Sequence, residues 1–541
     1  MSSYFSRRKF LAAAASSAGA YLGGCPPWAG ASERRTVRVL FTGDSHGHMK
    51  PLYHREPEGT DFLRKSGIEP GSEMAYLTSH TEFVRQAKKF GKAGGIAHVA
   101  ALIRKERARA PERTLVLEAG DAWYGSAIAM FTDGRAPLEA MNAIGYDAMT
   151  LHWEFNLGRE TLMKRIKEAK FPVLAQNLVD NDFEDVVLKP FTVKNVGGVR
   201  VGILGQAYPF STLTTEDPAF TRGWRMGYRF RALRKHVHFM RKKMKVDLVI
   251  LLSHMGLPQD IAFAKNHPEF DVIIGGHSHD NMVRPLRVGR TVIVHAGSHN
   301  KFVGDLTMTV GQKGLERADY RVLPVLAERI EADPAVSAIV AKHYAPYEKS
   351  LNEVVGSTET LLYRHDTWKS TTDQFISDAY RKIADADMGH CPGWRFGSSI
   401  LPGEIRREDV YDAMKGTPSN LFVPKLRGKR IVSLFEDILD NVLNPDPLLR
   451  LGGDLFRFSG MRVRFRRKGP KGRRVIAVEK DGKPLVPGRY YSIATSGGRI
   501  QRIPFRMGDT GRVAAEELIG FIKENSPIRV GLTDNVEEVK A

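Results

Sequence analysis

Cysteine is nearly absent from this chain: Cys25 and Cys391 are the two among 541 residues. A framework of several disulfides is therefore excluded, and any metal site must be built without a cluster of thiolates. The chain also lacks an apolar run of membrane-spanning length, since the alanine-rich stretch 12–22 is too short and too weakly apolar. We expect Cys391 to be a buried thiol without a chemical role.

Acidic residues are also in short supply, with 61 Asp and Glu against 81 Lys and Arg and a net charge of +20. A basic balance of this size favours an anionic substrate or an acidic protein partner. Nucleic acid is the rival interpretation, but the basic residues are dispersed apart from clusters at 462–468 and 471–474, which predict a solvated hairpin. We expect no nucleic-acid partner.

The amino terminus contains Arg7 and Arg8 in the sequence Arg-Arg-Lys-Phe-Leu, directly before the alanine-rich run. This pattern predicts a twin-arginine signal peptide over residues 1–31 and export to the periplasm. Small residues at positions 29 and 31 favour cleavage after Ala31. The alternative is a lipid anchor at Cys25, because Leu-Gly-Gly-Cys has the form of a lipoprotein box.

The chain is too long for a single core, so two domains are expected. Strand and helix patterns alternate through residues 36–325, which predicts a layered α/β domain that holds the metal site. A charged amphipathic stretch at 327–351 predicts a linker helix. Residues 352–541 mix helices with short strands and predict a smaller α+β domain that binds the substrate or its carrier.

Apolar runs of strand length end repeatedly in metal-type ligands. Four of these runs cover residues 37–42, 114–117, 247–252 and 271–274, and a fifth ligand group surrounds position 152. In an α/β sheet, ligands gather in the crevice beyond the carboxyl ends of buried strands. The seven candidate ligands are Asp44, His46, Asp121, His152, His254, His277 and His279.

The order of these residues matters more than any one of them. A lone histidine near a strand end is more often structural, and a lone Gly-Asp is usually a turn. Asp-x-His after the first strand and His-x-His after the last, with carboxylate and imidazole ligands between, predict a hydrolase with two metal ions. Such ligands leave zinc, iron and manganese open.

The arrangement resembles the 5'-nucleotidase superfamily of calcineurin-like metallophosphoesterases. The resemblance implies an α/β fold: a layered αββα metallophosphoesterase domain, a linker helix and a smaller α+β 5'-nucleotidase-type C-terminal domain. In that superfamily the third metal motif is Gly-Asn-His-Glu-Phe-Asp. Here His152 stands at the metal-binding Asn, Trp153 replaces the catalytic His, and Asn156 replaces its Asp partner. The phosphoesterase dyad is absent, because indole cannot transfer protons.

The His-Trp-Glu-Phe form is similar to that of SoxB-type thiosulfohydrolases of the sulfur-oxidation pathway. This resemblance implies two Mn²⁺ ions and a substrate held as a cysteine S-thiosulfonate on a SoxYZ-type carrier, from which sulfate is released and a persulfide remains. Thiosulfate oxidation would be the setting. Further similar segments are 50–57, 90–96, 174–177, 392–397, 401–403, 444–447 and 452–454.

The resemblance also assigns roles to residues. One ion would be bound by Asp44, His46 and His279. The other would be bound by His152, His254 and His277, with Asp121 bridging, so that Asp121 and His152 also serve catalysis.

Two further residues are candidates for contact with the substrate. Arg395 would face the sulfonate, since a guanidinium pairs well with oxyanions; an ordinary interdomain salt bridge is the alternative. Trp153 would form the wall of the channel that admits the carrier arm, or it is a packed aromatic residue. Segments 297–302 and 496–499 depart from the SoxB pattern, and the change at 496–499 leaves carrier docking open. A nucleotidase and a non-catalytic metal-binding scaffold are the alternative functions.

Overall fold

The computed structural model describes residues 35–366, 368–414, 419–455, 457–497 and 508–539. The predicted signal peptide, both alternatives for its processing at Ala31 and Cys25, and residues 498 and 499 of a divergent segment lie outside these residues. No helix within the described ranges combines the length and the apolar character needed to cross a membrane.

Two β-sheets form the centre of the first domain. Both are mixed, and the strands that lead to the predicted ligands run parallel to their neighbours: Arg35–Thr42 to Thr114–Glu118, and Leu248–Ser253 to Val272–Gly275. In spatial order the first sheet consists of Gly314–Pro324, Phe302–Gly311, Arg35–Thr42, Thr114–Glu118 and Ala148–Met149. The second consists of Leu286–Val288, Thr291–His295, Val272–Gly275, Leu248–Ser253, Val199–Gln206 and Phe191–Val196.

The two sheets pack face to face, and alternation along each strand explains how. Val39 and Phe41 of the first sheet share a core with Ile250 of the second. Leu40, between them in sequence, points to the opposite face and packs with Val99 of a covering helix. Successive side chains of a strand point to opposite faces, so strands apolar on both sides need a layer on each.

Helices supply the two outer layers. Ile96–Arg107 and Arg135–Ile144 cover the first sheet, and Phe230–Lys242 and Leu257–Asn266 cover the second. The predicted α/β class and its αββα layering are thereby confirmed. Shorter helices of this domain are Thr60–Ser66, Glu73–Thr78, Phe83–Phe90, Ala127–Phe131, Arg159–Glu168 and Ser211–Thr214, with 3-10 turns at Pro111–Arg113, Trp153–Leu157 and Pro218–Thr221. Two-residue strands pair Pro51–Leu52 with Ala93–Gly94 and Val179–Asp180 with Trp224–Arg225.

A buried charge network joins the first sheet to its covering helix. The Arg38 guanidinium donates to both carboxylate oxygens of Asp305, at 2.7 Å each, and to the backbone carbonyl and the carboxylate of Glu106. Arg321, on the neighbouring strand Gly314–Pro324, also donates to Asp305 at 2.7 Å. The network therefore connects three strands. Burial of these charges is tolerated because each one is paired and hydrogen-bonded.

The segment predicted as a linker helix begins later than its charge pattern suggested. Residues 327–333 are turns and irregular backbone, and the helices are Pro334–Tyr344 and Glu348–Leu351. Asp333 accepts hydrogen bonds from the amides of Ala335 and Val336, at 3.1 and 3.0 Å, which fixes the helix start just before its first-turn proline.

The second domain is built on a six-stranded sheet with helices packed against it. Its helices are Thr371–Ile383, Arg407–Ala413, Gly428–Val442 and Ala514–Asn525, with a 3-10 turn at Pro447–Leu449. The sheet runs Arg457–Ser459, Met388–Cys391, Tyr490–Thr495, Asn420–Phe422 and Asp509–Val513, and Lys425–Arg427 pairs with Tyr490–Thr495. Val354–Thr358 pairs with Gly403–Arg406.

The basic clusters at 462–468 and 471–474 lie in and beside a β-hairpin, as predicted. The hairpin pairs Arg462–Phe465 with Val475–Lys480 in a small sheet that also contains Lys483–Pro484 and Val536–Glu538. Several arginines of these clusters form ion pairs with Glu537, Glu538 and Asp440.

Cys391 is buried and free. Its thiol lies 3.2 Å from Asp373 Oδ1, and burial raises its pKa to about 12.

Candidate metal centre

Parallel pairing of the strands brings the predicted ligands to one edge of the double sheet. Thr42 is in register with Glu118, and Ser253 is in register with Gly275. The chain leaves all four strands at this edge and enters the loops that contain Asp44 and His46, Asp121, His254, and His277 and His279. The lengths of the strands and their register therefore bring the ligand loops together.

The first ligand group consists of Asp44, His46 and His279, all buried. The Nε2 atoms of the two histidines lie 2.9 Å apart, and His279 Nε2 lies 3.5 Å from Asp44 Oδ1. Two imidazole nitrogens bound to one ion at about 2.1 Å each would lie at most about 4 Å apart. The observed spacing fits a shared cation.

The second ligand group consists of Asp121, His152, His254 and His277, again all buried. His254 Nε2 lies 3.1 Å from Asp121 Oδ2 and 3.7 Å from Asp44 Oδ1, so it stands between the carboxylates of the two groups. The seven predicted ligands thus form two adjacent groups. The bridging role of Asp121 stays a prediction.

Hydrogen bonds outside the groups orient several of these rings. His254 donates through Nδ1 to the carbonyl of Ala119 at 2.6 Å, and His152 Nδ1 lies 3.0 Å from Ser211 Oγ. Each bond fixes the ring so that Nε2 faces the other ligands, which is the usual support of a metal-binding imidazole. Among the described residues, the Nε2 atom of His277 is buried without a hydrogen-bond partner. Orphaned lone pairs of this kind fit bound cations.

Backbone geometry at the ligands is unusual. Asp44, His46, Asp121, His277 and His279 all have positive φ, between 51° and 72°. Non-glycine residues seldom adopt this left-handed conformation, and clusters of them mark functional sites. Gly276 lies among these residues, and a Cβ atom there would approach Asp44 Oδ2 to 2.7 Å.

The two carboxylates attract positive charge to the space between them. Burial and the neighbouring Asp121 carboxylate raise the pKa of Asp44 to about 7, against the lowering effect of His254. Burial alone would lower the pKa of His254, but Asp121 and Asp44 raise it to about 10. Burial lowers the pKa of His46 and of His152 to about 3, so both rings are neutral and free to act as ligands. The donor set therefore fits divalent cations in charge as well as in ligand type.

Trp153 lies beside the second ligand group, and its role in catalysis stays a prediction. Its backbone amide donates to Asp121 Oδ1 at 2.6 Å. Its ring stacks on Tyr124, with centroids 6.0 Å apart and planes within 6°, and meets Trp394 and Phe396 of the second domain edge-on. These four rings form an aromatic wall at the domain boundary.

Arg395 reaches from the second domain to the ligand loop. Its Nη2 atom donates to the backbone carbonyl of His277 at 2.8 Å. It also lines a cavity between the domains, together with His277, Gly452 and the arginines Arg450 and Arg467. Arg395 therefore contacts the backbone of the predicted ligand His277. Three guanidinium groups line the cavity next to this ligand.

Sequence reasoning missed residues that support the ligands. Glu154 is fully buried and accepts hydrogen bonds from the amides of Ala122 and His152, at 2.6 and 2.8 Å, so it ties two ligand loops together. Its position in the His-Trp-Glu-Phe motif could have signalled this role. His299, in a divergent segment, donates its amide to the carbonyl of Asp44 at 2.8 Å. Nothing local in the sequence indicates that contact.

This architecture is shared with proteins of known family and structure. Residues 354–501 match the family described as 5'-nucleotidase, C-terminal domain. The solved structure of the sulfate thiohydrolase SoxB from Thermus thermophilus superimposes with a TM-score of 0.89 at 32% sequence identity, covering 96% of this chain and 98% of that one.

Sequence comparison adds nucleotide phosphoesterases and their relatives. The protein UshA of Yersinia enterocolitica is 24% identical over 93% of this chain and 94% of its own length. The trifunctional nucleotide phosphoesterase YfkN of Bacillus subtilis is 27% identical over 75% of this chain, which spans only 29% of that protein.

A double-sheet α/β domain with two buried groups of histidine and aspartate, followed by a nucleotidase-type second domain, defines a metal-dependent hydrolase of the metallophosphoesterase class. Within that class, the chain belongs to the 5'-nucleotidase superfamily.

Proposed function

We propose that the protein is a periplasmic thiosulfohydrolase that uses two manganese ions and acts on a SoxYZ-type sulfur carrier. The substrate is a cysteine S-thiosulfonate on the carrier, and the products are sulfate and a cysteine persulfide. The observation that carries the proposal is Trp153, which stands at the position of the catalytic histidine in the phosphoesterase pattern and contacts Asp121 through its backbone. Similarity to a structure named as a SoxB sulfate thiohydrolase supports it.

The reaction suits a site without that histidine. The oxygen of water bonds to the sulfonate sulfur, and the bond from this sulfur to the sulfane sulfur breaks. The electron pair stays on the sulfane sulfur, which leaves as a persulfide, so no oxidant is needed. A persulfide leaves more readily than an alkoxide and depends less on a general acid. The two ligand groups would hold two divalent cations, which would supply Lewis acidity and an activated water.

The remaining residues suit a tethered anionic substrate. Arg395, Arg450 and Arg467 line the cavity next to His277 and offer guanidinium groups to a sulfonate. Trp153 and Trp394, the two partly exposed rings of the aromatic wall, offer an apolar surface along which a carrier arm can lie. The net charge of +20 favours encounter with an acidic carrier.

Nucleotide phosphoester hydrolysis is the second candidate. It is favoured by the names of sequence relatives and by the 5'-nucleotidase family match over 354–501. The missing imidazole at position 153 counts against it.

Parallel assays separate these functions. The manganese-loaded protein is incubated with a carrier that bears a cysteine S-thiosulfonate, and sulfate is measured by ion chromatography, while AMP hydrolysis is followed by phosphate release. We expect sulfate release that His152→Ala abolishes. His238→Ala, at an exposed histidine of the covering helix Phe230–Lys242, should preserve it. AMP hydrolysis without sulfate release would establish the nucleotidase instead. Two bound metal ions with neither activity would indicate the non-catalytic scaffold.

A further inference from the structure

A third group of metal-type side chains lies outside the two ligand groups. It consists of His54, Glu56 and His365, all buried, and their candidate ligand atoms lie within 4.8 Å of one another. His54 and Glu56 belong to the first domain, in the stretch after the strand Pro51–Leu52, whereas His365 belongs to the second. The group therefore spans the boundary between the domains.

Hydrogen bonding directs His54 into this group. Its Nδ1 atom bonds to the carbonyl of Gly397 at 3.0 Å, which makes Nδ1 the protonated nitrogen and leaves a lone pair on Nε2. The Nε2 atom lies 3.9 Å from Glu56 Oε1 and has no hydrogen-bond partner among the described residues, although the side chain is only 1% exposed. A buried acceptor left unsatisfied in this way requires an explanation.

The other two members face the same space. His365 Nδ1 lies 3.0 Å from Glu56 Oε2, while Lys301 occupies the other carboxylate oxygen with its ammonium group and also donates to the carbonyl of Leu77 at 3.1 Å. A buried Lys-Glu-His network without a metal is the competing interpretation. It pairs Glu56 with Lys301 and with His365, but it offers no partner to His54 Nε2.

We propose that His54, Glu56 and His365 bind a third divalent cation that fastens the two domains together. Two imidazoles and one carboxylate form a donor set that suits Zn²⁺. His365 reaches the first ligand group as well, since its ring centroid lies 6.0 Å from that of His279. The cation would thus fix the second domain, and with it the Arg395 side, against the proposed hydrolytic site.

Neighbouring contacts show that this boundary is already closely fitted. The amide of Ser399 donates to the carbonyl of Tyr53 at 2.7 Å, and the amide of Arg55 donates to Ser399 Oγ at 3.0 Å. Arg55 also forms an ion pair with Asp366 at 3.3 Å. The cation site lies within a continuous seam, where one additional bond restrains both domains.

The test is to load the full mature chain with Zn²⁺, determine its crystal structure with data at the zinc absorption edge, and measure zinc per chain by mass spectrometry. We expect an anomalous peak among His54, Glu56 and His365, and one zinc fewer per chain in both His54→Phe and His365→Phe. Phenylalanine retains an aromatic ring at each position, and Glu56→Gln is avoided because it would strip Lys301 of its counter-ion. His343→Phe, at a buried histidine that instead contacts Glu139, controls for loss of a buried imidazole.

Absence of a peak at this group in the zinc-loaded wild-type protein overturns the proposal, whatever the variants do. Peaks at the other two ligand groups are read from the same map. A missing third ion and a missing two-metal centre are therefore distinguishable, and neither readout depends on activity.

Discussion

At the scale of single residues, the ligand histidines show how much a short pattern can predict. Their identity followed from what comes directly after an apolar strand. Which nitrogen each ring offers did not, because His254 is turned by the carbonyl of Ala119 and His152 by Ser211, 59 residues further along the chain. Contacts between residues so far apart in the chain cannot be predicted from the sequence next to either residue.

The same limit applies to Trp153. Its position in the motif revealed the missing imidazole, whereas its stacking on Tyr124 and its contact with Trp394 depend on chain segments that only the fold brings together.

Restoring the phosphoesterase dyad is the residue-scale test of this interpretation. We expect Trp153→His combined with Asn156→Asp to raise AMP hydrolysis about 100-fold, because general acid-base assistance contributes about 10²- to 10⁴-fold. Asn156 already uses Oδ1 to accept from the amide of Glu216 at 2.8 Å, and aspartate can keep this bond. Phosphate release from AMP is the measurement.

Trp153→Phe with Asn156→Asp is the matched control, since it alters the aromatic residue without adding a basic nitrogen. An equal gain in the control would show that relief of crowding, and not proton transfer, limits phosphoester hydrolysis.

At the scale of elements, apolar runs of strand length predicted strands closely. The run 114–117 became Thr114–Glu118, and 271–274 became Val272–Gly275. Helix starts were less predictable, as the linker segment shows: its apolar stripe continued through residues that the cap at Asp333 excludes from the helix. Periodicity reports the face that an element buries, while a capping side chain decides where the element begins.

The charge network between strand Arg35–Thr42 and strand Phe302–Gly311 predicts how stability depends on pH. Burial would raise the pKa of Asp305, but hydrogen bonds from Arg38 and Arg321 lower it below its usual value. The stabilisation is therefore complete above the pKa of an unfolded aspartate, about 3.9, and is lost as pH falls through the lower pKa of the folded state.

Asp305→Asn should therefore cost about 3 kcal/mol in free energy of unfolding at pH 7, because it leaves buried Arg38 with one fewer carboxylate. The difference from wild type should shrink below about pH 4. Urea unfolding at a series of pH values measures it. Asp319→Asn, at an exposed aspartate that pairs with Arg317 on the neighbouring strand, is the control and should change little. A difference in free energy of unfolding that is constant with pH would refute the ionic explanation.

At the scale of the whole molecule, the sequence predicted two domains but not the seam between them. Tyr53 meets Ser399 and His54 meets His365 across more than 300 positions of the chain, and no periodicity encodes such pairs.

Removal of metal should affect the stability of the folded chain, because the site gathers buried carboxylates and imidazoles that only cations satisfy together. A ligand present at 1,000 times its Kd stabilises the native state by about 4 kcal/mol. We expect EDTA to lower the Tm measured by calorimetry and Mn²⁺ to restore it. His279→Ala, which lacks one ligand, should show a smaller shift, and a Tm unaffected by EDTA in the wild type would contradict a metal-loaded site.

The left-handed backbone at five of the ligands limits which sequences can descend from this one. Glycine, asparagine, aspartate and histidine tolerate positive φ, whereas β-branched residues do not. Drift at positions such as 44, 121 or 277 is thus confined to a few residue types even where selection for metal binding is lifted. A relative that lost activity long ago would therefore still have residues of these few types at the ligand positions.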